Sequence, residues 1–142
     1  MNVELLLDNS AFARLASPTL GERRSQEIAD AVEERRIGVC LPFLLEAGYS
    51  ALNATDHVEL LRELMALPML HIDSDVELRA IDAQRQLARA GHHRLPPVDL
   101  LISALADHHS LGVLHYDHDF DIIAERTDLR FVSEWLAVRG SL

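Results

Sequence analysis

The sequence predicts an α/β fold in which a parallel sheet lies between two layers of helices. Three observations predict it. Short apolar runs of four or five residues, the length of buried strands, recur at residues 3–7, 37–41, 69–72, 112–116 and 129–132. Stretches with helical spacing of apolar residues separate them. The runs are largely apolar rather than strictly alternating, as in strands covered on both faces.

The elements follow in order. Residues 3–7 end in Asp8-Asn9-Ser10, a turn cluster, and residues 10–16 read as a short helix. Residues 21–36 are polar and helical, with Ile28, Ala29 and Val32 on one face and Gly38 helping to stop them. The second run, 37–41, is followed by Pro42, which suits the first turn of a helix over 43–52. Asn53-Ala54-Thr55 breaks that helix, and Thr55-Asp56 caps the next, 57–66, whose Leu60, Leu61 and Leu64 form an apolar stripe. Pro68 ends it before the third run, 69–72. Ser74-Asp75-Val76-Glu77 has the capping-box pattern and opens a helix to Ala90, closed by Gly91. A polar loop at 92–97 leads to a helix over 99–109 with Leu101, Ile102 and Leu105 facing the core. Residues 112–116 make the fourth run, 120–125 a short helix, 129–132 the last strand, and 133–142 a less ordered tail. No repeat or linker interrupts the pattern, so residues 1–142 are expected to form one domain.

With 142 residues, 49% hydrophobic and 25% charged, the chain has the composition of a globular domain that needs no staples. No apolar run approaches a membrane span, and Met1-Asn2-Val3-Glu4 lacks the basic start of a signal peptide, so a cytoplasmic location is expected. The lone cysteine, Cys40, lies in an apolar run and reads as a core residue. The formal charge is −10, and all 13 basic residues are arginines. Polyanion binding normally uses a basic surface. The acidic excess either keeps the domain soluble or sits in part in a carboxylate cluster neutralised by cations.

The placing of the acids bears on that choice. Asp8 follows directly on the first strand and Asp117 on the fourth. The carboxyl ends of strands are where parallel sheets bind ligands. Asp99 lies in the first turn of a helix after Pro96-Pro97, where an acid stabilises the helix dipole by roughly 0.3–1 kcal/mol. Glu46 sits among Phe43, Leu44, Leu45 and Ala47, either on an exposed face or in a pocket. Two unit charges about 4 Å apart repel by about 4 kcal/mol at an effective dielectric of about 20. Gathered in one pocket, such acids must be protonated or bridged by cations. An all-oxygen site prefers hard cations such as magnesium or manganese, whose chemistry on a phosphodiester is hydrolysis.

Four strings resemble the motifs of the PIN domain, and most of all the VapC toxins of bacterial toxin–antitoxin pairs. They are Leu7-Asp8-Asn9-Ser10-Ala11, Leu44-Leu45-Glu46, residues 97–106 (PVDLLISALA) around Asp99, and Leu114-His115-Tyr116-Asp117-His118-Asp119-Phe120. The resemblance covers nearly the whole chain in motif order. It implies a three-layer α/β/α PIN-like domain with a five-stranded parallel sheet in the order 3-2-1-4-5. It implies a Mg2+- or Mn2+-dependent endoribonuclease acting on transfer or ribosomal RNA, a homodimer, and inhibition by a cognate VapB-like antitoxin. That partner would send a basic side chain into the acidic pocket and cover an apolar groove between Phe12, Leu15 and the residues 47–52.

Carried over motif by motif, Asp8, Glu46, Asp99 and Asp117 match the catalytic acids. Asp8, Asp99 and Asp117 are the expected metal ligands, joined by Asp119, for which capping the helix 120–125 is the alternative. Ser10 matches a hydroxyl that supports the first acid, and capping the short helix is compatible with that. His115 stands where many relatives carry threonine; it meets phosphate or water, or serves the structure at the strand end. Asp121 reads as a solvated helix residue, and His92-His93-Arg94 as an exposed loop with RNA phosphates as the alternative. His108-His109 suits a helix C-terminus. Hydrolysis in line would leave a 5′-phosphate, with Arg14, Arg23 or Arg24 meeting the RNA.

Other acid-bearing α/β folds fit less well. A phosphate-receiving signalling domain needs a late lysine, and the chain has none. A haloacid-dehalogenase-like phosphatase needs Asp-x-Asp after the first strand, and position 10 is serine. A catalytically inactive PIN-fold module that binds RNA or protein is the remaining alternative.

Overall fold

The structure is a computed structural model that describes residues 2–92 and 94–142. Met1, at the start of the leader reading, and His93, in the candidate RNA loop, lie outside them. The elements are β1 (Leu5–Leu7), α1 (Asn9–Phe12), α2 (Glu22–Glu33), β2 (Ile37–Gly38), α3 (Leu41–Tyr49), α4 (Ala54–Leu64), α5 (Ser74–Arg89), α6 (Pro97–His109), β3 (Gly112–His115), α7 (Asp119–Arg126) and β4 (Val132–Trp135).

The sheet has four parallel strands in the order β2-β1-β3-β4. The chain leaves β1 to one side, forms β2, and returns to place β3 on the other side. The winding therefore reverses between β1 and β3, which is where such sheets bind ligands. Their register pairs Leu7 with Leu114, and the Asp8 amide donates to the Leu114 carbonyl at 3.0 Å. The segments that follow these two strands emerge side by side. Gly112 permits the close approach at the centre of the sheet, since a Cβ there would meet Leu5 Cδ2 at 2.8 Å and the Val132 carbonyl at 3.1 Å.

The expected fifth strand is reduced to a single parallel bridge, Val39 to Met69, at the sheet edge where the order 3-2-1-4-5 puts it. Two backbone bonds form there, Val39 N–H to the Pro68 carbonyl at 2.8 Å and Leu70 N–H to the Val39 carbonyl at 2.9 Å. The ladder stops because α3 begins at Leu41 and Asp73 already caps α5, which leaves no extended backbone to pair. The last strand lies three residues later than expected. Leu129 is buried as an anchor, but the pairing residues are Val132, Ser133, Glu134 and Trp135, an alternating edge segment. The expected tail is likewise corrected. Leu136 is buried, its N–H donates to the His115 carbonyl at 2.7 Å, and the Leu142 N–H donates to the Tyr116 hydroxyl at 2.9 Å.

Alternation along β4 fixes the layers. Ser133 and Trp135 bond to Asp121 of α7, whereas Glu134 between them pairs with Arg24 of α2. Hence α7 and α2 lie on opposite faces. Helix α6 packs on β1 and β3 and is apolar nearly all round, with Leu100, Ile102, Ala104, Leu105 and Ala106 buried. Such a helix belongs inside the molecule. The caps differ from the expected ones. Asn53 caps α4 by accepting from the Asp56 N–H, and Asp73 caps α5 by accepting from the Val76 N–H. Among the described residues no helix is long and apolar enough to cross a membrane.

Candidate active site

Asp8 leaves β1 and caps α1, a place expected to suit Ser10. Its Oδ2 accepts from the Ser10 N–H at 2.9 Å and from the Ser10 hydroxyl. That hydroxyl oxygen in turn accepts from the Tyr116 N–H at 2.8 Å. One side chain thus ties the loop after β1 to the loop after β3. Asp8 is 2% exposed, and its other oxygen, Oδ1, is buried with no hydrogen-bond partner among the described residues.

Asp99 lies in the first turn of α6, which Pro97 opens. It is 6% exposed, and its Oδ2 also lacks a partner among the described residues. The dipole reading fails at this point, because a merely dipole-stabilising acid would face water. Asp117 follows β3, and its Oδ1 accepts from the Asp119 N–H at 2.9 Å. Asp117 therefore satisfies the start of α7; Asp119 is the first residue of that helix and not its cap. Asp99, Asp117 and Asp119 each present a carboxylate oxygen within 4.8 Å of the others. Glu46 is half-buried on α3.

Mutual repulsion links these groups. Burial, then Asp8, Asp117, Asp119 and Glu46, push the Asp99 carboxyl up to about 8. Burial raises Asp8 against the hydrogen bonds from Ser10 and Asn9, and Asp117 adds to the rise. Glu46 is raised by burial and then by Asp8 and Asp117; Asp119 is raised by burial and then by Asp117. The structure thus brings all five acids into one electrostatic neighbourhood, with Asp99, Asp117 and Asp119 as its tightest group. Metal-free, the cluster keeps a proton on Asp99 at neutral pH. A cation seated among the oxygens of Asp99, Asp117 and Asp119 would replace that proton and satisfy the orphaned Asp99 oxygen, so the residues fit a hard divalent ion.

The remaining candidates divide. His115 is fully buried and cannot meet phosphate; burial pushes its imidazole down to about 4. Asp121 is not a solvated residue: it accepts from the Ser133 hydroxyl at 2.7 Å and from Trp135 Nε1 at 3.0 Å. Cys40 is buried, and burial pushes its thiol up to about 11, as suits a core residue. Arg24 is engaged by the carbonyls of Leu136 and Trp135 and by Glu27 and Glu134. Arg23 is exposed beside Glu27. Arg14 lies against the site: its Nη1 donates to the Ser10 carbonyl at 2.9 Å, and its guanidinium sits 4.7 Å from the Tyr116 ring centre, with no carboxylate partner among the described residues. Phe12 and Leu15, expected beside a groove, are half-buried and pack against the core. An apolar groove of about 670 Å³ lies instead on the other flank of α3, lined by Leu41, Leu45, Tyr49, Ile72, Val98 and Leu101 with Glu46 at its rim.

Comparison with known proteins gives a consistent result. The PIN domain family matches residues 5–126. Ribonuclease VapC51 of Mycobacterium tuberculosis is 34% identical over 142 residues, covering 100% of this chain and 99% of the relative. Ribonuclease VapC2 of the same species is 39% identical over 127 residues, 86% of each chain. Among solved structures, DNA-bound VapBC from Salmonella typhimurium superposes with a TM-score of 0.73 at 18% identity, over 95% of this chain and 99% of that one. VapBC2 from Rickettsia felis, bound to a promoter DNA fragment, gives 0.72 at 13% identity over 94% and 99%.

Proposed function

The chain belongs to the PIN-domain family, among relatives that are VapC ribonucleases, and from that premise we propose that it is a divalent-metal-dependent endoribonuclease, the toxin of a type II toxin–antitoxin pair. One observation carries the reading: two buried carboxylate oxygens, Asp8 Oδ1 and Asp99 Oδ2, have no partner among the described residues, Asp99 groups with Asp117 and Asp119, and Asp8 repels Asp99 from beside them. An unsatisfied buried acceptor costs about 1–3 kcal/mol, more when charged. A cation held by that group relieves the Asp99 oxygen, and the all-oxygen donor set favours Mg2+ or Mn2+. Asp8, Asp99, Asp117 and Asp119 would hold it.

When bound, such an ion polarises a phosphoryl oxygen and acidifies water for attack on phosphorus. The chain's own residues do the rest. Ser10 holds one oxygen of Asp8 so that the other faces inward. Glu46, the acid on α3 with a raised carboxyl, is suited to exchanging a proton with the attacking water or the leaving oxygen. Arg14, stacked over Tyr116, meets a phosphate of the RNA beside the cluster. In-line hydrolysis then leaves a 5′-phosphate on transfer or ribosomal RNA.

A VapB-like antitoxin is the proposed partner, supported by structural neighbours that are VapBC complexes. The groove beside Glu46 suits a partner segment with apolar side chains and one basic residue directed at the acids. A cytoplasmic homodimer completes the proposal.

The test is cleavage of structured RNA in Mg2+ or Mn2+, with the new RNA ends sequenced. Asp8→Asn and Asp99→Asn should each lower the rate at least 100-fold while the fold is kept. Cleavage at the wild-type rate by both folded, nuclease-free variants refutes the proposal. A catalytically inactive module would give no acid-dependent cleavage even from the wild type.

A further inference from the structure

The loop that carries Asp117 hangs from three backbone amides. The Tyr116 N–H donates to Ser10 Oγ, the Asp119 N–H to Asp117 Oδ1, and the Asp117 N–H itself to His115 Nδ1 at 3.1 Å. The third bond fixes a tautomer. A ring nitrogen that accepts carries no proton, so the proton of His115 is on Nε2. Nε2 lies 2.7 Å from Ser133 Oγ and donates to it. The Ser133 hydroxyl donates its O–H to Asp121 Oδ1 at 2.7 Å, and Trp135 Nε1 donates to Asp121 Oδ2 at 3.0 Å. Every donor and acceptor along this chain has one direction only.

The ring is also clamped sterically. It is fully buried, stacks on Phe120 with centroids 4.7 Å apart, and meets the edge of Trp135 at 5.0 Å. A carboxylate in α7 thus orients an imidazole in β3 through a hydroxyl in β4. The imidazole in turn sets the backbone of an acid in the candidate metal group.

We propose that Asp121, Ser133 and His115 form a positioning relay that holds Asp117 for divalent-cation binding, so that metal affinity depends on side chains that never touch the ion. The proposal rests on the metal reading of the acidic cluster. These three are positioning residues, not catalytic ones. Outer partners of this kind typically change metal affinity by roughly 10- to 100-fold.

The test is Mn2+ binding to the full chain, measured by calorimetry, with thermal unfolding of the metal-free protein alongside. His115→Leu keeps an apolar filler but removes the Nδ1 acceptor, and it should weaken Mn2+ roughly 10- to 100-fold. His115→Asn puts an oxygen where Nδ1 was and can still accept from the Asp117 N–H. It should lose thermal stability through lost packing yet bind Mn2+ within about threefold of wild type. Ser133→Ala and Asp121→Asn should weaken Mn2+ in the same direction, and they carry the test if His115→Leu does not fold. In the wild type, long-range 1H–15N spectra should place the His115 proton on Nε2.

Loss of stability without loss of Mn2+ affinity in His115→Leu, Ser133→Ala and Asp121→Asn would make the relay merely structural and overturn the proposal. So would equal affinity of His115→Asn and His115→Leu. Asp99→Asn separates the two ideas. If it weakens Mn2+ while the relay variants do not, the inference fails and the metal reading stands. If the wild type takes up no Mn2+, both fail.

Discussion

Arg14 shows how a single side chain can be singled out in an acidic protein. Its guanidinium has one N–H spent on the Ser10 carbonyl and one face on Tyr116, and no hydrogen bond among the described residues uses its remaining donors. Planar guanidinium is the better phosphate ligand of the two basic side chains. Arg14→Ala should therefore weaken RNA binding and reduce the slope of log affinity against log salt by about 1. Filter binding of the catalytically silent Asp8→Asn background across a salt series reads that slope; an unchanged slope excludes the contact. Nothing in the sequence ranked Arg14 above Arg23 or Arg24, because the ranking depends on Glu27, Glu134 and the β4 carbonyls that occupy Arg24. The acids were more legible. Asp8 and Asp117 stand at strand ends, a position with meaning in a parallel sheet. Asp99 is masked by the commonness of acids in first helical turns, and only its company with the other acids and the family resemblance raise it. Asp121 was misread because its partners, Ser133 and Trp135, lie 12 and 14 residues further on and in a strand the sequence placed too early.

At the scale of elements, the sequence was clearest where one residue type dominates. The runs at β1 and β3 and the helices α5 and α6 all appear within a few residues of their expected bounds. Edges were harder. A central strand reports itself by apolarity, but an edge strand is shaped by specific polar partners, and β4 is of this second kind. Glu134 receives Arg24, whose Nε and Nη2 also donate to the Leu136 and Trp135 carbonyls at 2.8 and 3.1 Å. Arg24 thus clips α2 to the exit of β4, a contact 112 residues apart in sequence that no local pattern reveals. Truncation leaves two carbonyls short of a donor, and Arg24 is mostly buried. Arg24→Ala should lower unfolding stability by about 1–3 kcal/mol. Arg23→Ala, exposed on the same helix, should stay within about 0.5 kcal/mol of wild type. Chemical denaturation compares the two directly, and equal losses would remove the clip from the account of how β4 is held.

The whole molecule carries a formal charge of −10, and the acidic cluster makes its stability depend on pH in a sense opposite to the usual carboxylate. A paired Asp is stabilised by losing its proton. Asp99 is instead held protonated up to about 8 by burial and by Asp8, Asp117, Asp119 and Glu46, against 3.8 in the unfolded chain. Between those values the folded state binds a proton that the unfolded state has released. Unfolding stability therefore falls as pH rises through this window. The contribution is fully present below the unfolded value and gone above about 8. Asp8, Glu46 and Asp119 are shifted upward too and act in the same direction. The metal-free protein should lose roughly 5 °C or more in Tm between about pH 5 and pH 8, on the scale of a few degrees per kcal/mol for a chain this size. Saturating Mn2+ replaces the proton and should raise Tm far more at the higher pH than at the lower, because binding to the folded state adds stability by mass action. Because Asp8, Glu46 and Asp119 share the direction, the slope alone does not identify Asp99. Asp99→Asn does, since it removes the most strongly shifted carboxyl of the group. Its metal-free Tm should fall clearly less steeply over this range than the wild type's, and respond less to Mn2+. A wild-type Tm that climbs with pH, or an Asp99→Asn slope as steep as the wild type's, would mean that the carboxylates do not repel one another in the way their burial requires.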